Sequence, residues 1–221
     1  MLCTRCKEII KPIVAIDIDG TLGDYHSHLI NFACSWLGIE SKSKMWKYDG
    51  AEHFRIWFCK TFEVDVTTFR LIKLAYRQGG MKRSMPLFDY APELVAGVRE
   101  AGAEVWLTTT RPYLRLDNVD PDTRHWLALY GIEYDGILYD EDKYKVLADL
   151  VDPERVVSVL DDLPEQYDAA AAAFGEDIPL LRKTVFNSGV TRPWWVENLP
   201  IASSIMKESI KYWRTHHDAH N

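Results

Sequence analysis

The spacing of apolar residues changes repeatedly along the chain, and these changes predict alternating helices and strands. Short apolar runs, the first at residues 13–16, predict buried strands. Between them, apolar residues recur every three or four positions, which is typical of amphipathic helices. From residue 90 the two kinds of element alternate, with helices at 90–101, 120–130, 143–150, 164–174 and 200–213 and strands at 104–109, 136–139, 156–160 and 178–181. This order predicts an α/β fold with a doubly wound parallel sheet.

Residues 22–90 interrupt the alternation, because their pattern predicts helices only, at 28–37, 52–62 and 67–77. We therefore predict a small helical cap inserted after the first strand. The expected divisions are a core at 12–22 and 90–200, the cap at 23–89, and a C-terminal helix and tail at 201–221.

Charge is distributed unevenly over the 221 residues. The formal net charge is −7, from 26 Lys and Arg against 33 Asp and Glu. Residues 41–90, however, hold ten basic and five acidic residues and carry +5, which leaves −12 for the remainder. A basic, aromatic-rich segment in an acidic protein indicates a unit that meets an anion. A solvated helical face around an aromatic core explains the pattern equally well.

Composition excludes several classes of protein. An apolar fraction of 47% with 12% aromatic residues is typical of a globular chain and argues against intrinsic disorder. No apolar run approaches the ~20 residues of a membrane span, so we expect no membrane association. Four cysteines are too few for a disulfide framework, and Arg5, Lys7 and Glu8 interrupt the N-terminal segment. We therefore predict a cytoplasmic protein.

Chemically active side chains follow four of the predicted strands. Because ligands bind beyond the carboxyl ends of parallel strands, these side chains are expected to meet in one site. Paired carboxylates repel each other unless a cation lies between them, and hard oxygen ligands favour Mg²⁺. A lysine there would neutralise a phosphoryl group. The residues are Asp17 and Asp19, then 108–111, then 140–143, then Asp161 and Asp162.

The segment 17–22, Asp-Ile-Asp-Gly-Thr-Leu, resembles the first motif of the haloacid-dehalogenase-like phosphohydrolases. Thr109, Lys143 and the pair Asp161-Asp162 resemble the second, third and fourth motifs, in the order of that family. The resemblance covers residues 13–175 and implies a Rossmann-like core with phosphatase activity.

The resemblance also implies a role for each motif residue. Asp17 would attack phosphorus and form an aspartyl-phosphate, and Asp19 would act first as acid and then as base. Thr109 would hydrogen-bond the transferring phosphoryl group, and Lys143 would stabilise its charge. Neighbouring positions compete for two of these roles: Thr108 and Thr110 with Thr109, and Lys145 with Lys143.

The implied cofactor is Mg²⁺. By resemblance its ligands are Asp17, the backbone carbonyl of Asp19 and an acid of the fourth motif. We favour Asp162 as the direct ligand with Asp161 in support, although the reverse assignment stays open.

A closer similarity to the 5′-deoxyribonucleotidases bears on the substrate. The cap occupies the same place in the chain, Asp24-Tyr25 matches an acid and an aromatic that contacts the base, and Thr109-Thr110 resembles a phosphate-binding threonine-serine pair. Tyr25, Thr110 and Arg111 are therefore the predicted substrate-binding residues. Arg111 and the loop at 114–121 depart from that subfamily, and the Thr-x-Arg form also resembles the phosphatase domain of phage polynucleotide kinases.

The basic cap favours a nucleotide whose base stacks on an aromatic ring. The stacking candidates are Tyr25, Trp46, Phe54 and Trp57, and the alternative for each is the core of the cap. An oligonucleotide would need a wider basic stripe. We therefore expect a small phosphorylated substrate, a (deoxy)nucleoside monophosphate, and nucleic acid only as an alternative substrate through a 3′-phosphate end.

Overall fold

The computed structural model describes residues 10–40, 53–112 and 115–217. Trp46, one of the stacking candidates, lies outside the described residues. Six parallel strands form one sheet in the order β3-β2-β1-β4-β5-β6. The strands are β1 (Ile13–Asp17), β2 (Glu104–Thr109), β3 (Gly136–Tyr139), β4 (Val156–Asp161), β5 (Pro179–Arg182) and β6 (Trp195–Val196). The predicted doubly wound parallel sheet is confirmed.

Eight α-helices in the described chain connect and cover these strands. Three of them, α1 (Tyr25–Leu37), α2 (Phe54–Phe62) and α3 (Val66–Gln78), follow β1 and form the predicted helical insertion. The others are α4 (Ala91–Glu100), α5 (Val119–Leu129), α6 (Lys143–Leu150), α7 (Pro164–Phe174) and α8 (Leu199–His217). No helix in this part of the chain is both long enough and apolar enough to cross a membrane.

Strand β1 lies at the centre of the sheet and contributes to the cores on both faces. Val14 and Ile16 belong to a large apolar cluster that includes residues of α4, α5 and α8. Ile13 and Ala15 point to the other face and pack with residues of α6 and α7. This alternation follows from the two-residue period of a strand. All five residues of β1 are buried, which explains its continuous apolar sequence.

The helical insertion has an apolar cluster of its own. Ten buried residues of α1, α2 and α3 form it, Trp57 and Phe58 among them. Phe186, from the segment after β5, packs against this cluster and joins the insertion to the sheet. The division into core, cap and C-terminal tail remains a prediction. Helix α8 contributes five buried residues to the same apolar cluster as β1: Leu199, Ala202, Met206, Ile210 and Trp213.

Two local details differ from the sequence pattern. Helix α1 begins three residues earlier than predicted, because the Asp24 side chain accepts a hydrogen bond from the backbone N–H of Ser27 at 3.2 Å and caps the helix. Strand β6 was not predicted. It has two residues, and its hydrogen bonds to β5 rather than its own apolar pattern define it.

Candidate active site

The carboxyl ends of β1, β2 and β4 lie side by side in the middle of the sheet. Asp17 is aligned with Thr108 of β2, and Ile16 is aligned with Leu160 of β4. From β1 the chain first adds β2 and β3 on one side of the sheet and then β4, β5 and β6 on the other. The gap between β1 and β4 is therefore the switch point at which an open α/β sheet forms its ligand crevice. Asp17, Asp161 and Asp162 lie on the two sides of this crevice, each at most 4% exposed.

Lys143 connects two of these carboxylates. Its Nζ lies 2.5 Å from Asp17 Oδ1 and 2.6 Å from Asp161 Oδ2, and the whole residue is buried. Burial alone would lower the pKa of Lys143, but Asp161 and Asp17 outweigh it and raise that pKa above its ordinary value. Lys145 is exposed, so the structure brings only Lys143 of the two candidates to the carboxylates.

Both oxygens of Asp161 already have partners within the protein. Its Oδ1 accepts from the backbone N–H of Leu163 at 2.9 Å, and its Oδ2 accepts from the Tyr144 hydroxyl at 2.6 Å as well as from Lys143. These bonds hold Asp161 in place as the partner that orients Lys143.

Asp17 and Asp162, in contrast, each keep one buried oxygen without a partner. Among the described residues, no group donates a hydrogen bond to Asp17 Oδ2 or Asp162 Oδ1. Burial raises the pKa of Asp17 to about 7 against the opposing charge of Lys143. Burial, Asp17 and Asp161 raise the pKa of Asp162 well above its usual range. Two such oxygens are costly unless a cation or donor satisfies them.

The three carboxylates could therefore hold a metal ion. One oxygen from each of Asp17, Asp161 and Asp162 lies within 4.8 Å of the others. An all-oxygen donor set fits Mg²⁺ better than a softer metal. Asp17 and Asp162 offer the freer donors, because each has an oxygen without a hydrogen-bond partner in the described chain, whereas both oxygens of Asp161 already have one.

The loop after β1 makes the close approach of Asp162 possible. Gly20 has a φ of 98°, and a Cβ there would lie 2.2 Å from Asp162 Oδ2. Arg182 donates to the Gly20 carbonyl at 2.5 Å, and Asn187 donates to the backbone carbonyl of Asp162 at 2.7 Å. These contacts fix two loops on either side of the crevice.

Asp19 has different partners from Asp17, because β1 ends at Asp17 and strand alternation does not extend to Asp19. Arg111 binds both oxygens of Asp19, with distances of 3.0 Å from Nε to Oδ2 and 2.6 Å from Nη2 to Oδ1. Lys82 forms a second ion pair with Oδ2. Burial would raise the pKa of Asp19, but these two cations outweigh it and hold that pKa below its usual range. Two cations share one carboxylate, which leaves positive charge beside the crevice.

The remaining predicted residues surround this group. Thr109 is buried at the end of β2, and its Oγ1 accepts from the Arg111 backbone N–H at 3.4 Å. Thr110, which follows it, is half-buried. Tyr25 lies with its ring 3.8 Å from Lys82 Nζ, a cation–π contact that places it next to Asp19.

Two of the other stacking candidates can be located in the cap. Trp57 is only 5% exposed and belongs to the cap cluster, so the structure places it in the core rather than on a ligand-binding surface. Phe54 is half-buried and, with Asp162, lines a cavity of about 320 Å³.

The sequence analysis did not identify Lys82, Arg182 or Asn187. Arg182 ends β5, so the rule that ligands bind beyond strand ends could have found it. Lys82 lies in a short 3₁₀ helix of the cap (Met81–Ser84) and carries no motif, so only the tertiary structure brings it to Asp19.

Comparisons with known proteins support the fold. No protein-family model and no curated protein matches the chain. Among solved structures, it is similar to a haloacid dehalogenase family hydrolase from Deinococcus radiodurans that has bound phosphate and sodium, with a TM-score of 0.60 and 14% identity over 90% of this chain and 96% of that one. The haloacid dehalogenase-like hydrolase SP0104 from Streptococcus pneumoniae gives 0.56 and 13% over 88% and 97%. A D,D-heptose 1,7-bisphosphate phosphatase from Burkholderia thailandensis gives 0.51 and 12% over 88% and 97%. At these identities the likeness establishes the fold alone.

Proposed function

We propose that this chain is a Mg²⁺-dependent phosphomonoesterase that forms an aspartyl-phosphate on Asp17 and acts on nucleotides. The observation that carries the proposal is the pair of buried oxygens, Asp17 Oδ2 and Asp162 Oδ1, that have no hydrogen-bond partner in the described chain. The phosphate and sodium bound to the similar hydrolase from Deinococcus radiodurans are consistent with it.

Asp162, the backbone carbonyl of Asp19 and Asp17 would hold the Mg²⁺, and Asp17 would do so through Oδ1, the oxygen that does not attack phosphorus. When bound, the cation would stabilise negative charge on the phosphoryl oxygens and on the two carboxylates. Lys143 would hold Asp17 Oδ1, so that the other oxygen of Asp17 is directed to phosphorus.

The reaction then takes two steps that share one acid and base. Asp17 Oδ2 attacks phosphorus, the bond from phosphorus to the ester oxygen breaks, and Asp19 gives a proton to the departing alcohol. In the second step Asp19 takes a proton from water, the water oxygen attacks phosphorus, and inorganic phosphate leaves Asp17. Lys143 stabilises the charge that develops on the phosphoryl oxygens in both steps.

The contacts of Asp19 add a requirement to this mechanism. As a carboxylate bound by Arg111 and Lys82, Asp19 cannot donate a proton. We propose that the substrate phosphate competes with Asp19 for Arg111 and Lys82. Once these cations bind phosphate oxygens, the pKa of Asp19 returns toward its usual range, so that Asp19 can take up a proton from solvent before the first step and give it to the departing alcohol. Arg111 would thus bind the substrate, as the sequence predicted, and would also control the acid.

A nucleotide substrate is supported by the rings and charges at the entrance to the site. His53 and Phe54 line the cavity that also contains Asp162, and two flat rings offer a stacking surface for a base. Nucleoside monophosphates are the first choice. The phosphorylated 3′ end of a nucleic acid is the alternative. A small sugar phosphate is a further substrate class, because one of the similar structures is a heptose bisphosphate phosphatase.

Phosphate release from a substrate panel tests this proposal. The panel contains 5′- and 3′-nucleoside monophosphates, sugar phosphates and a 3′-phosphorylated oligonucleotide, each with Mg²⁺ or with EDTA. We expect nucleotide turnover only with Mg²⁺, and at least a ~10³-fold lower kcat in Asp17→Asn. Asp149→Asn is the matched control, because Asp149 is exposed at the far end of α6. Near-normal activity of Asp17→Asn, or activity in EDTA, would overturn the proposed chemistry, and a clear preference for sugar phosphates would overturn the nucleotide assignment.

A further inference from the structure

A second cavity, of about 580 Å³, lies between α2, α3 and the segment after β2. We call it the basic cavity, because five of the described residues that line it are cations and none of these described residues is acidic. The cations are Arg55, Arg70, Lys73, Arg77 and Arg115. Its volume is within the range of pockets that bind small molecules.

The cations come from three segments but converge on one space. Arg70, Lys73 and Arg77 are spaced three and four apart on α3, so they share one face of that helix. Arg55 of α2 and Arg115 of the segment after β2 approach the same space from two other directions.

These charges are poorly compensated. Within the described chain, no carboxylate lies within ion-pair distance of Arg55, Arg70, Lys73 or Arg77. Of the five cations, Arg115 alone has a carboxylate partner in this part of the chain, Glu141 at 3.6 Å. Both side chains are more than three-quarters exposed, which makes that pair weak. The Nε of Arg77 is buried without an acceptor. Burial and Arg77 lower the pKa of Lys73 to about 8. The cavity is therefore lined by positive charge that no carboxylate of the described residues neutralises at ion-pair distance.

The basic cavity adjoins the catalytic crevice. His53 and Phe54 line both the basic cavity and the cavity that contains Asp162. Pro112, another lining residue, directly follows Arg111, the partner of Asp19. A ligand that extends past His53 and Phe54 could thus reach both sites.

We propose that the basic cavity binds a second phosphate group of the same substrate molecule whose phosphomonoester is cleaved at Asp17. Arginine side chains from three directions suit a phosphate, which accepts charge-assisted hydrogen bonds on all sides. The inference rests on the proposed phosphatase function and narrows its substrates to those with two phosphates. That second group is either a monoester, as in a nucleoside bisphosphate, or a diester, as in the end of a nucleic acid.

The test compares substrates that differ only in this group. The kcat/KM is measured for a nucleoside 3′,5′-bisphosphate, for both monophosphates of the same nucleoside, and for a dinucleotide with a terminal 3′-phosphate. We expect the kcat/KM of the better substrate with two phosphate groups to exceed that of the better monophosphate by at least ~tenfold. If the bisphosphate has the higher kcat/KM, the second group is a monoester; if the dinucleotide has the higher value, it is a diester.

The variant Arg70→Gln/Lys73→Gln should bring that ratio close to one, and Arg70→Gln alone, at an exposed position, should lower it partway. Lys211→Gln, which removes an exposed cation of α8, should leave the ratio unchanged. A ratio that the double variant does not alter, or an equal loss for all substrates, would overturn the second phosphate site.

If the wild-type protein hydrolyses none of these substrates, the proposed function fails, and calorimetry then tests the cavity separately. Binding of the nucleoside bisphosphate to the wild-type protein but not to the double variant would support the second site. Equal binding to both proteins, or to neither, would contradict it.

Discussion

Two lysines of this protein, Lys143 and Lys73, have opposite surroundings. Lys143 lies between Asp17 and Asp161, within 2.6 Å of each, and these carboxylates raise its pKa. Lys73 lines the basic cavity, where burial and Arg77 lower its pKa to about 8. Burial disfavours the charged form of both lysines, but of the two only Lys143 has a carboxylate within ion-pair distance among the described residues.

This difference in partners distinguishes a lysine that is already positioned by carboxylates of the protein from a lysine that we propose is stabilised by a bound ligand. Lys143 already forms an ion pair with Asp17, the proposed nucleophile, so its proposed role needs no rearrangement. Lys73 has no carboxylate at ion-pair distance among the described residues, and a bound anion would favour its charged form. The same residue type therefore indicates a catalytic position in one region and a binding position in the other.

The largest expected effect comes from removing the paired lysine. Lys143→Met leaves Asp17 and Asp161 buried beside each other without a cation. We expect the free energy of unfolding to fall by about 3–5 kcal/mol, the usual cost of breaking a buried ion pair, together with loss of phosphatase activity. Chemical denaturation measures the first effect.

Lys145→Met is the control for that variant, since Lys145 is an exposed lysine two residues further along the same helix. Its effect should stay within about 0.5 kcal/mol. A loss below ~1 kcal/mol in Lys143→Met would mean that the carboxylates do not depend on this lysine.

An intermediate effect is expected at Gly20. In Gly20→Ala the added Cβ would meet Asp162 Oδ2, and the φ of 98° adds backbone strain. We expect a stability loss of about 1–2 kcal/mol and at least a ~tenfold weaker affinity for Mg²⁺, measured by calorimetry, because Asp162 must move.

Gly131→Ala separates strain from displacement. Gly131 also has a positive φ, 63°, but a Cβ there meets open space. This variant should lose a similar amount of stability and bind Mg²⁺ normally. If Gly20→Ala bound Mg²⁺ as tightly as Gly131→Ala, Asp162 would not be a ligand.

The smallest effect concerns Lys73 and its dependence on pH. The folded protein holds the pKa of Lys73 at about 8, below its ordinary value of 10.5. Between these values the unfolded chain binds more protons than the folded one, so this lysine makes stability rise with pH across that window. Lys73→Gln should lack this rise and, at pH 7, should have a Tm higher by ~2 °C, since it removes an uncompensated cation.

Thermal unfolding of both proteins at pH 7 and pH 9.5 measures this difference. A Tm that falls at pH 7 in Lys73→Gln would mean that Lys73 has a partner that stabilises it. That outcome would remove the contrast with Lys143.

The sequence was sufficient for most of the fold, because its elements are short and strongly patterned. The run at residues 13–16 is apolar throughout since β1 is buried on both faces, and the spacing of later runs predicted the parallel sheet. Strand β6 escaped prediction because two residues carry no periodicity. The early start of α1 depends on a single capping bond from Asp24.

The site was predictable where residues follow strands and unpredictable where contacts cross between segments. Strand ends indicated Asp17, Lys143 and the acidic pair, and the chosen roles of those residues remain predictions. The choice between Asp161 and Asp162 depends on which oxygens already have donors, which no spacing shows. Lys82 reaches Asp19 across 63 positions of sequence, so only the folded chain reveals their ion pair.

Fluorine NMR of the protein with beryllium fluoride and Mg²⁺ tests whether Asp17 is the nucleophile. Beryllium fluoride occupies the position of a phosphoryl group on an aspartate nucleophile. We expect new bound-fluoride resonances in the wild-type protein and in Asp149→Asn, all of which are absent in Asp17→Asn and in EDTA. The same resonances in Asp17→Asn would contradict this assignment of the nucleophile, because they would show that another residue receives the phosphoryl group.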